Sequence, residues 1–125
     1  MTESILLSTK KVLGLAEDYT AFDPDILMHI NSVFAKLAQL GAGPKTGFFV
    51  ESADEEWGDF LGDDLRWNCV KSYVTTSVRM LFDPPTLGYL ITAYEKVISE
   101  AEWRISVISD EILAETAVLT TTPAE

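Results

Sequence analysis

The chain has 125 residues, of which 47% are hydrophobic, and it carries 20 acidic against 9 basic side chains for a formal net charge of -11. This composition indicates a single globular domain and, because phosphate binding requires clustered Lys and Arg, disfavours ordinary DNA binding. The apolar runs are shorter than the roughly 20 residues of a membrane span, residues 5–7 are too short an apolar run for a signal peptide, and the single Cys69 permits no intrachain disulfide.

The first half of the chain predicts two amphipathic helices. Residues 2–13 form the first, because apolar side chains recur at helical spacing and Gly14 is a typical residue after a helix end. Residues 24–40 form the second, which gives the strongest signal and stops at Gly41. Its apolar positions step by 4, 3, 4 and 3 residues: Ile26, Ile30, Val33, Leu37 and Leu40.

Residues 41–62 predict irregular structure that includes an acidic loop. Residues 47–64 hold seven acidic side chains and no basic one. Residues 48–50 are compatible with one short strand or with an extended packing segment. Because Trp57, Phe60 and Leu61 are apolar, we expect them to anchor the loop to the core as a short helical turn.

Residues 64–82 predict a central helix that is apolar on two sides. Such a helix is buried in the middle of a bundle or shared with another subunit. Several β-branched residues make a strand the rival interpretation, but Asp64 as a cap, the length and the 3–4 spacing favour a helix. The two apolar stripes consist of Trp67, Val70, Val74, Ser77 and Leu81, and of Leu65, Cys69, Tyr73 and Met80.

The sequence Phe-Asp-Pro occurs twice, beginning at Phe22 and at Phe82. Asp is a good N-cap, and Pro fits the first position of a helix, where its missing N–H costs nothing. The preceding Phe is then placed to pack on a residue in the first turn, Phe22 on Leu27 and Phe82 on Leu87. We expect these two corners to fix the angles between helices.

Residues 84–112 predict a last helix of four heptads, a length typical of a coiled-coil-like seam. It would be about 40 Å long, so we expect its far end to project. Residues 116–125 lack helical periodicity and predict an extended segment. The expected architecture is an all-α bundle of about four helices with a long C-terminal helix, an acidic loop and an extended C-terminal tail, divided into a helical domain, 1–113, and the tail, 114–125.

Residues with catalytic or metal-binding chemistry are few. The glycine-rich stretch 41–47 follows a helix and lacks the spacing of a phosphate loop, so a plain turn is favoured. The acidic loop lacks the ligand order of an EF-hand. His29 is the single histidine, and Cys69 lies on an apolar stripe. We therefore predict that the protein is not an enzyme and has no catalytic residues, no metal site and no cofactor.

The central helix carries a basic strip beside the acidic loop: Arg66, Lys71 and Arg79. Two interpretations stay open, since these charges either balance acids within one chain or meet the acidic loop of a neighbouring copy. In the second interpretation the loop would contribute Glu51, Asp54, Glu55 and Glu56. Further candidate contacts with subunits or partners lie towards the C-terminus: Ile105, Ile108, Ile112, Val118 and Leu119.

Four motifs follow one another along the helices: Lys10-Lys11-Val12-Leu13-Gly14-Leu15, Asp23-x-Asp25-Ile26, Val70-Lys71-Ser72-Tyr73-Val74 and Arg79-Met80-Leu81-Phe82-Asp83-Pro84-Pro85. With these motifs, residues 3–112 resemble the small helical head–tail connector, or adaptor, proteins of tailed bacteriophages, including the group of possible DNA-packaging proteins. The motifs are packing motifs, and the long acidic loop over 51–64 is an addition that the general pattern does not require.

The resemblance implies a structural virion protein that forms a ring, expected to hold twelve copies, beneath the phage portal protein. Such a ring would join the head to the next neck or tail-completion protein and extend the DNA channel, with DNA only as passing cargo and without membrane contact. It would be assembled in the host cytoplasm and end in the neck of the virion. The alternative is an acidic DNA mimic that inhibits a nucleic-acid-binding protein, which explains the charge equally well but not the heptad seam or the apolar tail.

Overall fold

A computed structural model describes residues 3–120 of the chain, with side chains to residue 118. Its elements in chain order are α1 (Ile5–Val12), α2 (Asp23–Leu40), α3 (Trp57–Leu61), a 3-10 turn (Leu65–Trp67), α4 (Asn68–Phe82) and α5 (Gly88–Thr120). Within these residues the fold is all-α, as predicted, with a small bundle and a long C-terminal helix. None of its described helices is long and apolar enough to cross a lipid bilayer.

The first two helices are joined by a buried lysine. Ser4 caps α1 by accepting a hydrogen bond from the Leu7 N–H at 3.2 Å, so the helix starts three residues later than predicted. Lys10 is fully buried, and its Nζ donates to the carbonyl oxygens of Glu17 at 3.0 Å and Tyr19 at 2.8 Å. Because Asp23 Oδ1 lies 2.9 Å from the same ammonium, the charge is neutralised and the connector between α1 and α2 is held in place.

The central helix α4 packs against α1, α2 and α5. Val70, Tyr73, Val74 and Val78 are buried along it, which confirms both the helix and its place in the middle of the bundle. Two predicted members of its apolar stripes are exposed: Leu65, in the 3-10 turn before α4, and Leu81, in its last turn. These positions lie beyond the part of the helix that its neighbours cover.

The predicted start of the last helix at Pro84 is wrong. The helix begins at Gly88, and the N–H groups of Leu90 and Ile91 donate to the Leu87 carbonyl at 3.0 and 3.2 Å. Pro84 precedes a second proline, which disfavours the α conformation at Pro84 itself. The four residues after Asp83 therefore stay outside the helix.

The predicted contact between Phe82 and Leu87 is replaced by another. Leu87 is 50% exposed, and Phe82 packs edge to face on Phe22, with ring centroids 5.5 Å apart. The phenylalanines of the two Phe-Asp-Pro sequences thus meet each other. The first sequence also differs from expectation, because α2 starts at Asp23 and its N-cap position is Phe22.

Helix α5 packs most closely through its middle, and both of its ends are more exposed. Ala101, Ile105 and Ser109 are buried, whereas residues 88–100 and 113–118 contain no buried side chain. With 33 residues it is about 50 Å long, longer than predicted. The extended tail predicted from residue 114 is wrong as far as Thr120, since the helix continues there and Thr116 Oγ1 donates to the Ile112 carbonyl at 2.9 Å.

The remaining tail residues, 121–125, lie outside the described part of the chain. The division into a domain, 1–113, and a tail, 114–125, stays a prediction.

Candidate functional site

Arg66 joins the start of the central helix to the C-terminal end of α5. Its guanidinium lies 2.8 Å from Asp64 Oδ2, 2.7 Å from Glu115 Oε2 and 3.5 Å from Glu111 Oε2. Hydrogen bonds from Arg66 hold the pKa of the Asp64 and Glu115 carboxyls below their ordinary values. The hydrogen bonds to Asp64 and Glu115 in turn raise the pKa of Arg66, so all three groups stay charged at neutral pH.

The other two members of the basic strip also have partners within the chain. Lys71 forms an ion pair with Glu3, and Arg79 Nε donates to the Asp83 carbonyl at 2.8 Å. Arg66 pairs with Asp64 at the end of the acidic loop, and among the described residues none of the three cations pairs with the loop acids at 51–59. In a single subunit Arg66 and Lys71 are therefore paired with acids and Arg79 binds a backbone carbonyl, and contact with a neighbouring copy stays a prediction.

The acidic loop is tied to the start of α1. The Ile5 N–H donates to the Glu55 carbonyl at 3.0 Å, and the Trp57 N–H donates to the Glu3 carbonyl at 3.1 Å. Trp57 and Phe60 are buried as predicted. The loop is thus part of the folded body.

Two of the predicted interface acids, Glu55 and Glu56, stabilise the structure of the loop itself. Burial raises the pKa of Glu55, but hydrogen bonds from the backbone of Glu51 and Ser52 outweigh this and hold its pKa below the ordinary value. Glu56 caps α3 together with Asp59, whose Oδ2 accepts the Glu56 N–H at 2.9 Å. Of the four predicted acids, Glu51 and Asp54 are exposed, so they are better placed than Glu55 and Glu56 to meet a partner.

The C-terminal candidate residues differ in accessibility. Ile105 is fully buried, so it belongs to the core of the subunit and not to its surface. Ile108 and Ile112 are half-buried against that core. Val118 is exposed, and the side chain of Leu119 lies outside the described residues.

A groove runs along the outer side of α2, which sequence patterning did not reveal. Asn31 accepts the Val50 N–H at 2.8 Å and donates to its carbonyl at 2.9 Å, which fixes residues 48–51 beside the helix. The cavity between them has a volume of about 720 Å³. We call it the α2 groove, and its lining includes Met28, Ser32, Ala35, Phe49 and Glu51.

Two large aromatic residues are exposed on α5, on the side away from the core. Trp103 is 69% and Tyr89 is 71% exposed. They lie 14 residues apart, with Lys96 midway, and a spacing of seven residues returns to the same side of a helix. We call this side the outer face of α5: Tyr89, Lys96, Glu100, Trp103 and Arg104. It could have been found in the sequence by reading the positions opposite the heptad seam.

A polar network joins α2, α4 and α5. The Tyr73 hydroxyl donates to Glu102 Oε2 at 2.9 Å, and Lys36 Nζ lies 2.7 Å from the same oxygen. Burial, and then the hydrogen bond to Glu102, raises the pKa of Tyr73, which keeps the phenol protonated as a donor. The side chains of Lys36, Tyr73 and Glu102 therefore have a structural role, because they hold three helices together.

Cys69 and the acidic residues show no arrangement for chemistry in the described part of the chain. Burial raises the pKa of the half-buried Cys69 thiol, which disfavours the reactive thiolate. No group of three His, Cys, Asp or Glu side chains converges there in a way that could hold a metal ion. The surface features of the described residues are suited to binding a partner and not to catalysis.

A comparison with models of known protein families places the chain. The family model described as phage connector protein matches residues 5–112, which is most of the chain and runs from α1 to the packed middle of α5. No curated protein and no solved structure matches the chain. Phage connector proteins are structural components of the junction between head and tail, and the family is not one of enzymes. The chain therefore belongs to the phage connector protein family.

Proposed function

We propose that this connector forms a closed ring beneath the portal protein, links it to the next neck or tail-completion protein and extends the DNA channel. The family match over residues 5–112 carries the proposal. A ring of twelve copies, assembled in the host cytoplasm before it enters the virion neck, is the form that we propose.

The shape of the subunit supports a role in lateral assembly. Helix α5 has 33 residues, and residues 88–100 and 113–118 contain no buried side chain, so a large part of its surface is accessible to other chains. A helix that is much longer than its own bundle requires gains stability when neighbours cover it.

The charge of the chain supports a channel through which DNA moves. A net charge of -11 gives a surface that repels phosphate. DNA would then pass without being held, which a binding protein with a basic patch would not allow.

The C-terminal segment is proposed as the contact with the portal protein. Residues 113–118 are exposed on α5, and Val118 and Leu119 are apolar residues beyond the packed middle of this helix. An exposed apolar helix end fits a groove on a partner.

The test is the mass of purified particles after co-expression of the chain with the portal protein of its phage. We expect a particle that contains the portal and additional mass equal to twelve copies of the 13.8 kDa chain. Electron micrographs should show a ring coaxial with the portal. A chain that stays monomeric, does not bind the portal and displaces DNA from a nuclease would instead support the DNA-mimic alternative.

A further inference from the structure

We propose that the outer face of α5 on one copy docks into the α2 groove of the next copy, with Trp103 as the anchor in the groove. The inference rests on the proposed ring and names the surfaces that would hold it together. Two features of the subunit, an exposed aromatic face and an open, largely apolar groove, are explained by this one contact.

Exposure of the aromatic side chains on the outer face of α5 to water is energetically unfavourable. Trp57 and Trp67 are buried, whereas Trp103 is 69% exposed on a well-packed helix. Trp and Tyr are the side chains that most often supply the binding energy of protein interfaces, because each buries a large apolar area with few rotatable bonds. Tyr89 lies on the same face, about 21 Å along the helix. The outer face of α5 therefore has two anchor residues without an anchor site on their own subunit.

The α2 groove has the size and lining to receive such an anchor. Its volume of about 720 Å³ falls within the range of pockets that enclose drug-sized molecules, so it can take an indole ring. Met28 is 60% and Phe49 is 64% exposed on its two walls, and Ala35 leaves space between them. The paired hydrogen bonds of Asn31 to Val50 make the groove a preformed one.

The charges around the two surfaces are complementary. Lys96 and Arg104 lie with Trp103 on the outer face of α5 and have no ion pair within residues 3–120. Arg66 and Lys71 of the basic strip, in contrast, form ion pairs within the subunit. Glu51 lines the α2 groove, and Asp54 follows in the adjoining loop; neither carboxylate has an ion pair within those residues. Two copies of a chain of net charge -11 repel each other overall, so their association requires a contact at which opposite charges meet. A second copy instead brings two unpaired cations to two unpaired acids.

The two surfaces belong to different elements, α5 and α2, so the contact is heterologous. A heterologous contact leaves one free face and one free groove on every pair of subunits, and repetition closes it into a ring or continues it as a filament. This is the type of contact that the proposed ring requires. The acidic loop then contacts the neighbour, but its partners are Lys96 and Arg104 instead of Arg66, Lys71 and Arg79.

The first experiment measures which surfaces meet. In a Cys69→Ser background, one chain carries Ser32→Cys in the groove and another carries Glu100→Cys beside Trp103. Because disulfides form only when the Cα atoms lie within about 7 Å, we expect a disulfide-linked pair in the mixture and none in either chain alone. The control mixture pairs Ser32→Cys with Leu65→Cys, since Leu65 is just as exposed but lies outside both surfaces.

The second experiment measures the strength of self-association by sedimentation of the full chain. Trp103→Ala removes the anchor, and Ala35→Leu fills the groove from an exposed position on α2. We expect each variant to weaken association about tenfold or more and the control Leu65→Ala to leave it unchanged. Acrylamide quenching of tryptophan fluorescence should fall as the wild-type chain assembles, because Trp103 is the exposed tryptophan.

The outcomes separate this inference from the proposed ring. Rings that form normally with Trp103→Ala and Ala35→Leu, without the disulfide, overturn the docking and leave the ring standing. A disulfide-linked contact that yields only pairs or filaments supports the docking and contradicts the ring. A wild-type chain that remains monomeric at millimolar concentration and forms no cross-link overturns both. Loss of assembly in the Leu65→Ala control would show that the effect is not specific to the groove.

Discussion

Three polar side chains, those of Lys10, Asn31 and Tyr73, connect segments that hydrophobic patterning does not relate. Lys10 holds the connector between α1 and α2, Asn31 holds the segment at Val50, and Tyr73 reaches Glu102 on α5. Each has its polar atoms paired, which is the condition for placing such groups inside a protein. The position of the irregular segments therefore depends on a few hydrogen bonds and not only on apolar packing.

Replacing Asn31 tests this dependence. In Asn31→Ala both the N–H and the carbonyl of Val50 lose their partner, and we expect the free energy of unfolding to fall by about 1–3 kcal/mol. Asn31→Asp keeps the acceptor for the Val50 N–H but loses the donor, so its loss should be smaller. The measurement is urea denaturation followed by circular dichroism, and equal losses for the two variants would show that the backbone N–H of Val50 is satisfied in another way.

At the level of the helices, the two Phe-Asp-Pro sequences contact each other through their phenylalanine rings. Phe22 lies just before α2 and Phe82 ends α4, and their rings meet at 5.5 Å. His29 also approaches Phe82, with ring centroids 6.4 Å apart. The cluster fixes where the end of α4 lies relative to the start of α2.

The cluster predicts a measurable coupling between its two phenylalanines. Phe82 is half-buried, so we expect Phe82→Ala to lower the free energy of unfolding by about 1–2 kcal/mol. Because the rings contact each other, the loss in the double variant with Phe22→Ala should be smaller than the sum of the single losses by about 0.5–1.5 kcal/mol. Strict additivity would contradict the contact, and Phe49→Ala, at an exposed site, should have little effect on stability.

From the ion pairs of Arg66 we predict that the attachment of the C-terminal end of α5 to the start of the central helix depends on pH. The folded pKa values of Asp64 and Glu115 lie below the ordinary 3.8 and 4.5, so their contribution to stability is present above those values. It is lost as the pH falls through the lower, folded pKa values.

The check compares wild type with Arg66→Gln in urea. We expect wild type to have the higher unfolding midpoint at pH 7, and the difference between the two proteins to shrink towards pH 3. Lys45→Gln is the control, because Lys45 is exposed and has no ion pair within the described residues. A difference that stays constant across this range would show that Arg66 acts through packing of its aliphatic stem instead.

The helices were largely predictable from the sequence because their apolar positions repeat at helical spacing, as in α2 and the packed middle of α5. Their ends were less predictable. Pro85 shifted the start of α5 to Gly88, a local effect that a staple argument at Phe82 overlooked. The α2 groove could not be predicted, since it depends on Asn31 binding a segment 19 residues away. Periodicity carries no information about such a pairing.

On the scale of the whole subunit, the surfaces proposed for self-assembly and for portal binding lie apart from each other. The α2 groove and the outer face of α5 lie on the bundle and on the part of α5 beside it, whereas residues 113–118 extend beyond the core. The net charge of -11 opposes nonspecific association. We therefore propose that self-assembly and capture of the portal protein use different parts of one long helix.

Deleting residues 114–125 should abolish portal binding but leave ring formation intact. Residues 114–118 are exposed, so we expect the melting temperature to change by less than about 4 °C, the shift that corresponds to roughly 1 kcal/mol in a domain of this size. Arg66 loses Glu115 but keeps Asp64 and Glu111 as partners. Trp103 and the α2 groove remain, so the truncated chain should still form rings.

The same truncation should abolish co-purification with the portal protein, because it removes Val118 and Leu119. The matched control deletes only residues 121–125, keeps both apolar residues and should retain rings and portal binding alike. Conversely, Trp103→Ala should lose rings while its C-terminal segment is intact, so any remaining portal binding would be that of single subunits. Truncated rings that still bind the portal would place the portal contact elsewhere on the bundle, and loss of rings on truncation would assign the end of α5 to self-assembly instead.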